Sequence, residues 1–106
     1  MTAMEDIMED RDLSQAIILY LAKGRSSFPK SDDAAVIAAA SAPEGPALLD
    51  RVRRITDECM AIDVDWASHT LVEGGEEARQ TMALRHPELS PQALDALRWM
   101  FTYNWR

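Results

Sequence analysis

Residues 46–72 read PALLDRVRRITDECMAIDVDWASHTLV, and the fold turns on how this stretch is read. Leu48, Leu49, Val52, Ile55, Cys59, Ile62 and Trp66 recur at three- and four-residue spacing. That period lines up apolar side chains on one face of an α-helix, and such a face needs other helices to cover it. Pro46 suits the first helical turn, where its missing N–H has no intrahelical bond to lose. The pattern predicts a third helix that starts at Pro46, runs as far as Val72 and is stopped by Gly74-Gly75. It would be the longest element and the centre of the core.

The flanking sequence follows the same grammar. Asp12 with Gln15 three residues later resembles a capping box. Leu13, Ile17 and Leu21, with Ala16 and Tyr20, form an apolar stripe, and Gly24 is placed to end a first helix over 12–23. Ser31 caps a second helix over 32–40, where Asp32 and Asp33 meet the positive end of the macrodipole. Its alanines allow close approach of another helix. A fourth helix over 76–85 ends at His86-Pro87, and Ser90 with Pro91 opens a fifth. That last helix turns Ala93, Leu94, Leu97 and Phe101 inward and frays near Tyr103. Trp99, Phe101, Tyr103 and Trp105 also alternate as a strand would, but a lone strand finds no ladder partner in a helical monomer. Upstream, Met4, Ile7 and Met8 would add a turn or two, solvated by Glu5, Asp6, Glu9, Asp10 and Asp12. The expectation is an all-α, single small domain over 1–106: a helical bundle of four to five short helices with a long central one, frayed over 1–11.

The 106 residues include 18 acids and 11 bases, for a net charge of −7. An apolar fraction of 47% and a charged fraction of 27% belong to a globular chain, long enough to bury a core without metals or disulfides. Arg51, Arg53 and Arg54 cluster, but acids flank them, so direct nucleic-acid binding is not expected. The single Cys59 excludes an intramolecular disulfide. The opening MTAMEDIMED has acids where a signal peptide needs bases, and the longest apolar run, 16–22, is far short of a membrane span. A cytoplasmic chain without membrane contact is the expectation.

The acid excess is local. Asp57, Glu58, Asp63, Asp65, Glu73, Glu76 and Glu77 follow one another with no Lys or Arg between Arg54 and Arg79. On one long helix, acids near its C-terminus would oppose the macrodipole at about 0.3–1 kcal/mol per exposed charge. The plain reading is a solvated face with i,i+4 pairs Asp50–Arg54, Arg53–Asp57 and Arg54–Glu58. These pairs leave Asp63, Asp65, Glu73 and Glu77 unexplained. The functional reading is an acidic docking face for a basic protein surface.

Other constellations are weaker. Asp65, His69 and Glu73, at i, i+4 and i+8, would share a helix face as metal ligands or an acid–base set. Their ends would lie about 12 Å apart, too far for one ion without help from a second helix, and His86 lies outside this one. An exposed histidine between acids is the plainer reading. Cys59, in an apolar stripe behind two acids, reads as a small hydrophobe rather than a nucleophile. Trp99, Phe101, Tyr103 and Trp105 fall on two sides of a helix, so either the tail folds back over the core, which is the plainer reading, or one side meets a partner or a second copy; Arg98 and Arg106 stand beside them.

The expected function is a small non-enzymatic protein-binding module, of inhibitor or immunity type, docking on a basic partner surface and using no cofactor. The alternative is a homo-oligomeric subunit completed by the aromatic tail. A metal-dependent or acid–base enzyme around His69 ranks last.

Overall fold

Four polar side chains set the starts of four helices. Asp10, Asp32, Thr70 and Ser90 each accept the backbone N–H of the residue three positions on, namely Leu13, Ala35, Glu73 and Ala93. Each such cap is worth about 1 kcal/mol, because it satisfies a donor that the helix itself leaves unpaired. The computed structural model describes residues 9–40 and 44–106; the turn expected around Met4–Met8 and most of the frayed 1–11 segment lie outside them. The helices are α1 (Arg11–Leu21), α2 (Asp33–Ala39), α3 (Glu44–Met60), α4 (Leu71–Arg85) and α5 (Pro91–Trp105). The fold is all-α, and α3 is the longest element. Among the described residues there is no strand, only an isolated bridge between Lys23 and Ser26. No described helix is long and apolar enough to cross a membrane.

One core joins them. Leu13, Ile17 and Leu21 of α1 pack with Val36 of α2, Val52 and Cys59 of α3, Met82 of α4, and Leu97 and Phe101 of α5. Each buried Leu, Ile or Phe contributes about 1.5–3 kcal/mol. α1 packs on α2, α3 and α5, while α4 packs on α5. The start of α1 is tied to the α4–α5 turn by Asp10 N–H to the Glu88 carbonyl (2.8 Å) and Ser90 N–H to Ser14 Oγ (2.9 Å). The second bond satisfies Ser14 and Ser90 where both are buried.

Several boundaries differ from the sequence expectation. The cap of α1 is Asp10, not Asp12, and the helix ends before Gly24. Ala22 takes the left-handed conformation (φ 63°), so that its N–H and that of Lys23 close back on Leu19 and Ile18. This is a Schellman-type end built on alanine, whose small side chain is buried there. Asp32, not Ser31, caps α2. α5 continues to Trp105 instead of fraying near Tyr103.

The largest correction concerns the long helix. α3 stops at Met60, where Ala61 and Ile62 N–H groups fold back onto carbonyls of its last turn. A second helix then begins before the glycines, so Gly74-Gly75 interrupts nothing and lies buried inside α4. The cause is tertiary: a Cβ on Gly74 would overlap the Trp66 ring, and one on Gly75 would overlap the Thr102 methyl. Glycine lets the α4 backbone approach both, which offsets its poor helix propensity.

Candidate docking surface

The segment after α3 reads Ile-Asp-Val-Asp-Trp over residues 62–66. Ile62 and Val64 are buried, Asp63 and Asp65 are exposed, and Trp66 is half-buried. That period of two is extended chain laid along the core, not helix. Trp66 rests on Gly74, stacks on Phe101 (centroids 6.1 Å) and meets Trp105 at 5.4 Å. Trp105 remains 48% exposed. The result is a shelf of two indoles on a buried phenyl ring, reached by a segment whose Asp63 and Asp65 alternate to the side opposite Ile62, Val64 and Trp66.

The seven acids have different fates. Asp57 and Glu58 lie in the last turns of α3, Asp63 and Asp65 in the loop, and Glu73, Glu76 and Glu77 in the first half of α4. They do not form one helix face. Glu58 meets Arg85 (3.1 Å) and His86 (2.8 Å), Glu76 meets Arg98 (3.1 Å), and Glu77 meets His69 (3.3 Å). Glu73 closes a capping box with Thr70, a favourable place for an acid. Asp65 caps its own turn, accepting from Ala67 N–H and Ser68 Oγ. Of the three expected i,i+4 pairs, Asp50–Arg54 is present (2.7 Å). Arg53 instead reaches Asp33 on α2, and Glu58 reaches α4. Among the described residues, Asp57 and Asp63 have no ion-pair partner.

Asp65, His69 and Glu73 do not share a helix face either. Asp65 and His69 are in the loop, and Glu73 is three residues into α4 with its carboxylate turned to the Thr70 N–H. The His69 ring contacts the Asp65 carbonyl (3.0 Å) and Glu77. The carbonyl contact, with Glu77, Glu73 and Asp65 charges around it, raises its pKa. Among the described residues, no three His, Cys, Asp or Glu side chains are grouped to hold a metal ion. His86 stands between Glu58 and Glu88 (3.2 Å), joining α3 to the α4–α5 turn. Hydrogen bonding to His86, with Arg85 adding, holds the Glu58 carboxyl below its ordinary range. Cys59 is fully buried beside Leu97, and burial, with Glu58 nearby, pushes its thiol up to about 12.

The aromatic tail divides as its helical spacing requires. Phe101 is core, Trp99 packs half-buried against the core, and Trp105 joins Trp66. Tyr103, about 200° around the helix from Trp105, meets Phe28 of the α1–α2 loop (centroids 6.5 Å). Phe28 is 45% exposed, with Lys30 Nζ over its ring at 5.7 Å, and Arg106 lies 4.0 Å over Tyr103. Lys23 and Lys30 share this loop with Arg25, which is paired with Asp32 (3.7 Å) and donates to the Leu19 carbonyl. The signal of this second aromatic patch was present in KGRSSFPK, residues 23–30, but the partner Tyr103 lies 75 positions on, from 28 to 103, and the pairing is invisible along the chain.

Comparison with known proteins gives no match: no family model, no curated protein and no solved structure aligns significantly with this chain.

Proposed function

We propose that the protein is a non-enzymatic binding module that docks a basic segment of a protein partner on the Trp66–Trp105 shelf. The observation that carries the reading is the Trp66–Trp105 indole pair, with Trp105 48% exposed, beside a chain segment whose Asp63 and Asp65 are exposed. Arg or Lys side chains are attracted to indole faces by about 0.5–2 kcal/mol per contact. An exposed aromatic anchor is where binding energy concentrates at interfaces, and exposed acids on the same segment favour a basic partner. The acidic surface is accordingly narrower than the seven acids suggest, because Glu58 and Glu76 already face arginines within the fold and Glu77 faces His69. Covering a basic surface in this way is how an inhibitor or immunity-type protein would act.

The test is titration of indole fluorescence with an arginine-rich peptide. A saturable change is expected, weakened roughly tenfold or more by Asp63→Lys with Asp65→Lys, since like-charge contact costs several kcal/mol. Reversal of Asp12 and Glu44, remote from the shelf in the fold, should leave it unchanged. Equal weakening by both pairs would mean that net charge alone attracts the peptide, and the shelf would be lost as a site.

A further inference from the structure

α1, the end of α2 and the first half of α3 line a groove of about 580 Å³, within the roughly 300–1,000 Å³ of small-ligand sites. Its walls are apolar at Ala16, Leu19, Val36, Ala39, Ala47 and Leu48. Ala39 ends the alanine-rich α2, whose small side chains leave room for a neighbour, and both Ala39 and Ala47 remain exposed. Asp10, Asp12, Glu44 and Arg51 line the same groove. Arg51 is taken by Asp10 (3.2 Å). Asp12 and Glu44 each stand in the first turn of a helix, where the macrodipole favours a negative charge. Among the described residues neither has an ion-pair partner, so the groove sets two uncompensated carboxylates beside apolar walls. We propose that it binds a small aliphatic amine, whose hydrocarbon part lies on the apolar walls and whose ammonium group meets Asp12 and Glu44. Both halves of the ligand are needed. Two carboxylates repel an anion, and a neutral hydrocarbon covers them without replacing the water they lose. A hydrophilic cation gains little, because exposed ion pairs are weak. The groove shares no residue with the Trp66–Trp105 shelf, so each site binds or fails independently of the other.

Titration of the isotope-labelled full chain with octylammonium, followed by backbone amide shifts, tests this. Saturable shifts centred on Leu19, Ala39 and Leu48 are expected. Affinity should rise from butylammonium to octylammonium by up to roughly fourfold for each methylene that is buried. Octanoate and ethylammonium should bind far more weakly. Asp12→Asn with Glu44→Gln should weaken octylammonium roughly fivefold or more; both side chains are exposed, so the core is untouched. Ala47→Phe, a large side chain at an exposed wall position, should fill the groove and abolish binding. Asp63→Lys with Asp65→Lys removes more negative charge, but outside the groove, and should change nothing. Equal weakening by that pair would mean that net charge alone attracts the amine, and the groove would be lost as a site. The absence of saturable shifts, octanoate binding as tightly, shifts centred on α4 or α5, or undiminished binding to Ala47→Phe would each overturn the proposal.

Discussion

Gly75 meets Thr102 of α5, and Gly74 meets the Trp66 ring of the α3–α4 loop, so closely that an added Cβ would overlap either neighbour. Replacing Gly75 by Ala sets two effects against each other. Helix propensity gains about 1 kcal/mol, while overpacking costs about 1–3 kcal/mol. The Thr102 methyl is fixed in α5 by hydroxyl bonds to the Arg98 and Trp99 carbonyls, so it cannot swing aside. Gly75→Ala should therefore lose about 1–2 kcal/mol in urea unfolding. Adding Thr102→Ser, which removes the methyl and keeps the hydroxyl, should recover most of it; no recovery would place the strain elsewhere. These glycines also show why the residue scale is hard to read from sequence. A Gly-Gly pair marks a helix stop when nothing packs on it, and a close approach when something does, and the neighbours that decide lie 8 and 27 positions away.

At the scale of elements, α3 and α4 are linked less by apolar packing than by Glu58, Arg85 and His86. Because the Glu58 pKa is lowered in the folded state, its stabilisation is full above the unfolded value of about 4.3 and is lost as pH falls through the folded value. Wild type should exceed Glu58→Gln in thermal midpoint near pH 5, and the gap should close in acid. A gap that stays constant down to pH 2–3 would contradict the linkage. Capping signals were the best-read features at this scale. Ser90-Pro91 opens α5 as expected, and Thr70-Leu-Val-Glu73 is a capping box that reveals α4 once the stretch before it is no longer taken as helix. Ile-Asp-Val-Asp-Trp looked helical because its apolar residues also satisfy part of a three-four pattern. Its period of two is the one the folded chain uses.

For the whole molecule, Cys59 reports the integrity of the core. It is buried between α3 and α5 with its thiol raised to about 12, so both access and ionisation oppose reaction. Native protein at pH 8 should resist a thiol reagent, and labelling with increasing urea should track loss of helical signal. Labelling well before that loss would mean that α3 and α5 part without global unfolding.

Sequence by itself determined the helical class, the order of helices and most of the core. Those depend on periodicity and caps, which are local, and Leu13, Ile17, Val52, Cys59, Leu97 and Phe101 stand where their spacing put them. Tertiary structure decided where the long helix breaks and which acids are neutralised. It alone assembled the two aromatic patches. The reason is distance along the chain: Trp66 finds Trp105, and Phe28 finds Tyr103, only after α5 has folded back over the core. No local pattern records which side of a helix a remote segment will choose to cover.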